Sequence, residues 1–328
     1  MTAERRHARA AIRDGVIHVR DYMERKGDCV PIAIPSKLRE NMLCEQTLAM
    51  LQRYNYDMGK VHVFVDPTFE RAKGCNEYDL YYRYLRENGF EEVQVHPGGK
   101  DLPEQYARIF QFCQQERWII LMSDTVPRIV WRPKKWNVEV TEMPNEYLLP
   151  VIRIGFELCE VSGARAWSLA ACKAGINLQA GVISRKCGLL CGNFCGVRMM
   201  QDTIPMKVSG YTTDVEFSLR TWKQDGAMIR FLGIAADHKY RSREGHRLTN
   251  AGEKKRHEDT SKAIRELCEQ FPESIRFEKK PRSSRKQMQY KFRHVGPKPI
   301  VFRGTFTANG AKLKDGLRAL TNVERQRR

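Results

Sequence analysis

Residues 30 to 125 repeat one pattern, which constrains the fold more than any other feature of the chain. Four short apolar runs alternate with three longer segments whose apolar residues recur three or four positions apart. The short runs are typical of buried strands and the periodic segments of helices. Alternating strands and helices form parallel sheets, because parallel neighbours require a crossover connection. We therefore predict an α/β fold, a Rossmann-type and mostly parallel sheet with flanking helices.

Each predicted strand ends in a small or acidic residue. The four strands are expected at Val30 to Ile34, Val61 to Val65, "EEVQV", and Trp118 to Met122. In the same order, they run into Pro35-Ser36, Asp66, Gly98-Gly99 and Ser123-Asp124. Ligands of open α/β sheets bind at the carboxyl ends of the strands, so these ends predict a cleft. The first strand is not followed by G-x-G-x-x-G, and no Walker A sequence is present, which disfavours dinucleotide and P-loop sites.

The remaining segments predict a mixed set of elements. A polar N-terminal helix is expected from Arg5 to Lys26, and an irregular excursion after Pro127. "GARAWSLAACKAGINL" predicts a short helix that ends at Gly175, and "AGVISRKCGLLCGNFCGVRM" predicts strand and loop. "TTDVEFSLRTWKQ" predicts a helix, with a turn at Asp225-Gly226 and a strand beyond it. A last helix is predicted in "DTSKAIRELCEQFP", among basic segments that we expect to be partly disordered.

The positive charge of the chain is concentrated near its end. The formal net charge is +18, and residues 239–328 hold 25 Lys+Arg against 10 Asp+Glu, a net of +15. An asymmetry of this size favours a polyanionic partner, with nucleic acid as the first expectation. A solvated tail without a partner and an acidic membrane surface are the alternatives.

Cysteine usage and hydropathy bear on the compartment. Ten cysteines in 328 residues are too sparse for a disulfide scaffold, which favours a reducing, cytoplasmic environment. No apolar run approaches the roughly 20 residues that span a bilayer, so no membrane partner is expected. Cys187, Cys191 and Cys195 are spaced C-x3-C-x3-C, which matches no common metal site, and we expect buried thiols there.

Three further residues have both a structural and a functional interpretation. Asp124 ends a strand, where an aspartate either caps a turn or holds a metal or a sugar. Asp214 opens a helix, where it either caps the helix or serves as a general base, with Glu216 as the second candidate. His238 follows a predicted strand and is either a metal ligand or a partly buried histidine.

The order of these segments resembles that of the TET/JBP-associated glycosyltransferases. "IPSKLRENMLCEQTLAML" and "VHVFVDP" resemble the opening of that family, and "PEQYARIF" its arginine-bearing segment. "IILMSDTVPRIV" stands where the family has a run of aspartates, here reduced to Asp124. "TTDVEFSLRTWKQDGAMIRFLGIAADHKY" is similar to its Glu-Asp helix and following strand, with Thr213 in place of the glutamate. "SKAIRELCEQFPESIRFE" resembles its late helix, and the similarity covers roughly residues 31 to 280.

The resemblance implies a GT-A-like fold and an activity. A sugar would pass from a nucleotide-sugar donor, a UDP-sugar first, to a hydroxymethylated pyrimidine in DNA, often in phage genomes. Arg39 and Asp66 are expected to bind the donor beside a turn shaped by Pro35 and Ser36, and Arg108 to meet its diphosphate. Ser123 and Asp124 would hold the sugar or a divalent cation, manganese or magnesium, with His238 as a further metal ligand.

The expected domains follow from the same reasoning. They are an N-terminal extension over residues 1–30, a transferase domain over 31–240, and a DNA-binding extension over 241–328. The DNA-binding residues are expected to be Lys279, Lys280, Arg282, Arg285, Lys286, Lys291 and Arg293. Two rival functions remain open, a non-catalytic DNA-binding protein on a degenerate transferase scaffold and a nucleotidyltransferase, which needs carboxylates on a metal pair.

Overall fold

A computed structural model describes most of the chain between residues 29 and 277. The described residues are 6, 9, 16–18, 29–72, 75–132, 140–171, 173, 178–200, 212–238, 250–277, 290–293, 296 and 300–303. Five of the predicted DNA-binding residues lie outside this part of the chain: Lys279, Lys280, Arg282, Arg285 and Lys286.

The first half of the chain contains the predicted strand–helix alternation. Its strands are β1 Val16–His18, β2 Ile32–Pro35, β3 Val61–Val65, β4 Glu70–Ala72, β5 Cys75–Asn76, β6 Gln94–Pro97, β7 Trp118–Met122, β8 Arg128–Trp131 and β9 Thr141–Glu142. Helix α1 has three consecutive parts, Glu40–Met42, the π-helical Leu43–Leu48, and Ala49–Arg53. Helix α2 is Glu77–Glu87 and α3 is Leu102–Phe112, and short 3-10 turns occupy Met58–Lys60, Cys113–Gln115 and Asn145–Tyr147.

The second half adds three helices and seven strands in the described residues. The helices are α4 Leu148–Ser162, α5 Thr213–Asp225 and α6 Asn250–Gln270. The strands are β10 Ala166–Ala170, β11 Val182–Ser184, β12 Phe194–Arg198, β13 Ile229–Asp237, β14 Ile275–Phe277, β15 Tyr290–Phe292 and β16 Ile300–Arg303. Gly226 ends α5 in the left-handed region, as the predicted Asp225-Gly226 turn requires.

One large sheet organises the molecule. The hydrogen-bonded order is β1-β16-β11-β13-β10-β12-β7-β2-β3-β6, with β8 and β9 attached beside β13. The four strands β6, β3, β2 and β7 are mutually parallel, as predicted, and β12 runs antiparallel to β7. The chain moves from β2 through β3 to β6, then returns to the other side of β2 to form β7. This reversal is the topological switch point of the sheet, where a ligand cleft is expected.

Helices cover both faces of the sheet, which explains why its strands are apolar on both sides. Alternate residues of one strand face opposite ways, so Ile32 and Ile34 pack on one face and Ala33 on the other. Buried residues of α1, α2 and α4 belong to the first core, and those of α3 and α5 pack in the second. The predicted α/β class and parallel core are therefore confirmed.

Two expectations about single elements are corrected. The predicted helix from Arg5 to Lys26 is not formed at Val16–His18, which pairs with β16 as a parallel strand. The predicted helix in "GARAWSLAACKAGINL" is wrong over Ala166–Ala170, which is strand β10. The alanines favour a helix, but pairing with β12 and β13 buries this segment in the sheet, and tertiary context overrides that preference.

Helix α4 was not predicted, because its sequence contains residues that are unfavourable in helices. Pro150 lies near its start and Gly155 in its interior, and both residues usually argue against a helix. Gly155 is required by close packing, since a Cβ there would lie 2.5 Å from the ring of Trp167. The apolar faces of the described helices serve this globular core, and none of those helices is long and apolar enough to cross a membrane.

Candidate active site

A cleft lies at the carboxyl ends of β2 and β7, at the switch point of the sheet. It has a volume of about 210 Å³. Its walls come from the turn after β2, the start of α3, the turn after β7, the loop before β12, and the first turn of α5. The lining residues are Pro35, Ser36, Lys37, Arg39, Lys100, Asp101, Leu102, Gln105, Tyr106, Ser123, Asp124, Gly192, Asn193 and Asp214.

Ser36 and Asp124 join the two strand ends directly. The strands are parallel neighbours, so the residues that follow them come side by side. Ser36 Oγ donates to Asp124 Oδ2 at 2.7 Å, and Arg39 Nη1 donates to Asp124 Oδ1 at 3.2 Å. Burial raises the pKa of Asp124, and the charge of Arg39 and the Ser36 hydrogen bond oppose that rise. Both carboxylate oxygens are therefore engaged by partners from the β2 turn.

The β2 turn is strained, and buried side chains of α2 hold it in place. Leu38 has φ 57°, a left-handed conformation that is rare for a leucine. The amide of Leu38 donates to the carboxylate of Glu77, and the amide of Arg39 donates to Tyr81 Oη at 2.9 Å. Glu77 and Tyr81 are both fully buried. The sequence "PSKLR" therefore turns sharply after the strand and brings Lys37 and Arg39 to the cleft.

A ring of hydrogen bonds begins and ends on Arg39. Because the Asp124 carboxylate accepts from Ser36, the Ser36 hydroxyl is the donor, and Tyr81 Oη donates to Ser36 Oγ at 2.8 Å. Tyr81 in turn accepts from the main-chain amide of Arg39, whose guanidinium binds Asp124. Donation runs from the Arg39 amide through Tyr81 and Ser36 to Asp124, and the Arg39 guanidinium donates to the same carboxylate from the other side. The arrangement fixes the guanidinium relative to its own backbone.

Lys37 is held at the mouth of the cleft by three groups. Its ammonium donates to the main-chain carbonyl of Lys100 at 3.0 Å and lies 3.4 Å from Asp66 Oδ2. It also sits 5.1 Å from the centre of the Phe69 ring. Asp66 itself is buried and accepts from the amide and the hydroxyl of Thr68. These hydrogen bonds lower the pKa of Asp66, together with the charge of Lys37, although burial opposes them.

The turn after β7 is positioned by the π-helical part of α1. Thr47 Oγ1 donates to the carbonyl of Ser123 at 3.0 Å and accepts from the amide of Val126 at 2.9 Å. On the other side, His238 Nε2 lies 3.0 Å from Ser123 Oγ and 2.8 Å from Thr125 Oγ1. Burial, with a smaller contribution from Arg39, lowers the pKa of His238 to about 4, so the imidazole is neutral at pH 7.

Asp214 faces the cleft from the first turn of α5. Its Oδ2 accepts from the amide of Gly192 at 3.1 Å, and its carboxylate also accepts from the hydroxyl of Tyr106. Neither of these partners is charged. Burial raises the pKa of Asp214 to about 6, against the lowering effect of the two hydrogen bonds. A carboxylate with this pKa is poised to accept a proton near neutral pH.

Gly192 lies in close contact with Tyr106 and Asp214 in this part of the cleft. A Cβ built there would lie 2.6 Å from Tyr106 Oη and 2.7 Å from Asp214 Oδ1. β12 runs antiparallel to β7, so the residues before β12 come to the carboxyl end of β7. Gly192 and Asn193 therefore complete the wall between Asp124 and Asp214.

The donor set around Asp124 does not fit a divalent cation held by protein ligands. The carboxylate is already bound by a guanidinium and a hydroxyl. His238, the other predicted metal ligand, hydrogen bonds to two hydroxyl groups. Within the described part of the chain, no three His, Cys, Asp or Glu residues converge as metal ligands. Predicted metal binding by Asp124 and His238 therefore has no support from the geometry.

The structure brings together most of the predicted site residues but not all of them. Arg108 is exposed on α3 and does not line the cleft, whereas Gln105 and Tyr106 of the same helix do. Glu216 is fully buried against Arg220, whose Nε lies 2.7 Å from Glu216 Oε1, and does not line the cleft either. Asp66 reaches the cleft only through Lys37.

Several lining residues were missed. Tyr106 and Gln105 are recoverable from helical phase, because Leu102, Tyr106 and Ile109 share the face of α3 that Arg108 lies away from. Lys37 stands between two predicted residues in "PSKLR". Gly192 and Asn193 carry no such signal, because their position depends on how β12 pairs with β7.

The three cysteines near this wall are buried thiols, as predicted. Cys187, Cys191 and Cys195 are at most 4% exposed. Burial raises the pKa of the Cys187 thiol to about 11 and that of Cys191 to about 12, and raises that of Cys195 well above its usual value. They pack the core beneath the cleft.

A basic ribbon lies on the far side of α5. Strands β14 and β15 pair in antiparallel register, with Arg276 opposite Lys291 and Ile275 opposite Phe292. Ile275 and Phe292 are buried against α5 and α6, so the alternate residues face outward. Arg276, Lys291 and Arg293 are all exposed, and we call these three residues the basic ribbon.

No family model matches the chain, and no curated protein matches its sequence. Among solved structures, the chain is similar to the mannosyltransferase PcManGT from Pyrobaculum calidifontis, in complex with GDP-Man and Mn2+. The identity is 8%, over 81% of this chain and 76% of that chain, with a TM-score of 0.44. At this level the likeness carries no information about the substrate, metal or chemistry of this chain. The resemblance to the TET/JBP-associated glycosyltransferases therefore stays a prediction.

Proposed function

We propose that the protein is a glycosyltransferase that moves a sugar from a nucleotide-sugar donor to a hydroxymethylated pyrimidine in DNA. The observation that carries this proposal is the cleft itself, which sets cationic side chains on one wall and Asp214 on the other. A diphosphate leaving group requires positive charge, and an attacking hydroxyl requires a base. The positive charge and the base both lie in one cleft, at the switch point of the sheet.

The donor would occupy the β2 side of the cleft. Lys37, Arg39 and Lys100 line this wall and suit the phosphates of a nucleoside diphosphate. Gln105 suits the sugar, since its side chain is only 4% exposed and its Oε1 has no hydrogen-bond partner among the described residues. A sugar hydroxyl that donates to this oxygen would satisfy it. Asp124 keeps Arg39 in position, and Asp66 does the same for Lys37.

The acceptor would approach Asp214. The hydroxyl oxygen of the acceptor base forms a bond to the anomeric carbon of the sugar, as the bond from that carbon to the diphosphate oxygen breaks. The hydroxyl proton passes to the Asp214 carboxylate, and the nucleoside diphosphate leaves with the electron pair of the broken bond. Tyr106 and Gly192 hold the carboxylate without neutralising it, which leaves it available as a base.

The DNA acceptor is supported by charge. The net of +15 in residues 239–328 fits a polyanion, and the basic ribbon displays part of it on an ordered surface. Arg276 and Lys291 are directly opposed across the ribbon, so two exposed basic residues lie side by side, an arrangement that suits contact with phosphates. The ribbon packs on α5, the helix that carries Asp214, through Ile275 and Phe292.

A non-catalytic DNA-binding protein is the second candidate. The ion pair between Asp124 and Arg39 favours it, because a carboxylate that is paired with a guanidinium is a poor base or nucleophile. The same pairing disfavours nucleotidyl transfer, which needs carboxylates on two metals.

Mass spectrometry separates these candidates. Hydroxymethylated duplex DNA would be incubated with a panel of nucleotide sugars and the wild-type protein. We expect a mass gain of one sugar residue with one donor, and no gain with Asp214→Asn. The matched control is Asp79→Asn, which changes an exposed first-turn acid of α2 and should leave transfer intact. DNA binding without a mass gain for any donor would favour the non-catalytic candidate.

A further inference from the structure

We infer that the donor diphosphate is neutralised by Lys37 and Arg39 rather than by a divalent cation. This inference rests on the proposed function, because it states how the same cleft binds its donor. It is carried by three observations: the hydrogen bonds to both oxygens of Asp124, the spare donors of Arg39, and the strained turn that places both cations.

Each carboxylate oxygen of Asp124 already accepts a hydrogen bond from the β2 turn. A divalent cation that took the place of these donors would displace the Arg39 guanidinium at 3.2 Å, the Ser36 hydroxyl at 2.7 Å, or both. A displaced Arg39 would remain near the metal, tied by its main-chain amide to the buried Tyr81. Two like charges close together in a partly buried site repel strongly. The guanidinium therefore competes with a metal for the Asp124 carboxylate.

Arg39 has hydrogen-bond donors to spare. Its Nη1 binds Asp124, whereas its Nε is buried and has no hydrogen-bond partner among the described residues. A guanidinium has five N–H donors in a planar fork that matches the oxygens of a phosphate group. Arg39 can therefore bind a phosphate without releasing Asp124. A phosphate oxygen near Nε would also satisfy an otherwise orphaned buried donor.

The strained turn gives both cations a fixed direction. Lys37 and Arg39 flank Leu38, whose positive φ is held by hydrogen bonds from α2. Backbone strain of this kind persists where the surrounding structure enforces it, and it concentrates at ligand sites. Lys37 is further fixed by Asp66 and by the carbonyl of Lys100, yet its side chain keeps 24% exposure at the cleft. Two preorganised charges therefore face the same space.

Calorimetric titration with UDP and with GDP tests the inference. Each nucleotide would be titrated into wild-type protein in EDTA and again in manganese. We expect binding in EDTA that manganese tightens by less than threefold. Arg39→Met should weaken binding in EDTA roughly 10- to 100-fold, the usual range for removal of a charge-assisted hydrogen bond. Lys37→Met tests the charge from a second and more exposed position, so a folding defect in one variant does not decide the result.

Asp124→Asn gives predictions of opposite sign. If Asp124 held a metal, the variant would lose nucleotide affinity in manganese. If Arg39 is the cation, it loses its counter-charge but keeps its main-chain hydrogen bond to Tyr81, so nucleotide affinity in manganese should rise. The control is Arg86→Met, an exposed arginine at the other end of α2, which should bind like the wild type.

Different results would exclude metal-free binding of the diphosphate and glycosyl transfer itself. Wild-type binding in manganese but not in EDTA, or wild-type affinity in both Arg39→Met and Lys37→Met, would overturn the inference and leave the proposed function standing. Binding of neither nucleotide in either buffer would overturn both.

Discussion

Gly192 donates its main-chain amide to Asp214 Oδ2 at 3.1 Å and leaves no space there for a side chain. A methyl group at this position would meet both Asp214 and Tyr106 at less than 2.8 Å. The glycine therefore sets how closely the loop before β12 approaches the start of α5. Since the loop, α3 and α5 all meet at Asp214, the geometry of this carboxylate depends on the absence of a Cβ.

Gly192→Ala should therefore lower turnover more than it lowers stability. Displacing the base by a few tenths of an ångström to 1 Å is expected to reduce kcat at least about 10-fold. Overpacking typically costs about 1–3 kcal/mol in unfolding free energy. The comparison is Gly163→Ala, at the left-handed end of α4 with no atom near its Cβ position, which should lose stability but keep turnover. Equal turnover in the two variants would contradict the role given to Gly192.

Asp214→Asn should abolish most of the activity without changing either binding step. Removal of a general base typically costs roughly 10²–10⁴-fold in rate. Nucleotide affinity and DNA affinity should stay within about twofold, because neither complex requires the proton acceptor. Steady-state kinetics and calorimetry measure these quantities separately. Turnover within about threefold of wild type would show that Asp214 is not the base and only holds the Gly192 loop and Tyr106 in place.

Asp124 and Asp214 could both be predicted from the sequence, because each lies at one end of a recognisable element. Asp124 follows an apolar strand, and Asp214 opens an amphipathic helix. Their neighbours depend on tertiary pairing, which local patterns do not encode. Gly192 reaches Asp214 because β12 is antiparallel to β7, and Tyr81 reaches Ser36 because α2 packs across the β2 turn. Arg108 shows the converse, since its motif is recognisable while the helical phase of α3 turns its side chain outward.

Tyr106→Phe should shift the pH dependence of turnover without removing the base. The Tyr106 hydroxyl donates to the Asp214 carboxylate and lowers its pKa, opposing the effect of burial. Without this hydrogen bond the pKa rises above about 6, so the acid limb of the kcat profile moves to higher pH. At pH 8 the variant should approach wild-type turnover. A profile reduced equally at every pH would indicate a structural role for Tyr106 instead.

The basic ribbon should control how DNA affinity responds to salt. Replacing Arg276, Lys291 and Arg293 by glutamine should make the slope of log affinity against log salt shallower by ~0.9 for each phosphate that the protein no longer neutralises. Nucleotide binding should not change. Substitution is a cleaner test than truncation here, because Phe292 packs in the core and β16 belongs to the main sheet.

A triple variant at Lys60, Arg83 and Arg86 removes the same charge from exposed positions elsewhere and is the control. It should leave the salt slope close to that of the wild type. If both triple variants change the slope equally, only net charge matters and the ribbon is not the DNA interface.

The unfolding free energy of the protein should depend on pH because the pKa of Asp214 is raised on folding. Its pKa rises from 3.8 to about 6 on folding, so between these values the folded state binds the proton more tightly than the unfolded state. Wild-type stability therefore falls as pH rises through this window. The loss is on the order of 2 kcal/mol, with allowance for the partial exposure of the side chain.

Asp214→Asn does not titrate and should lack this loss. The unfolding free energy of the variant relative to wild type should improve between pH 4 and about 6, by on the order of 2 kcal/mol, and stay level above about pH 7. Urea unfolding at a series of pH values measures the difference. A difference that is flat with pH would contradict the raised pKa of Asp214.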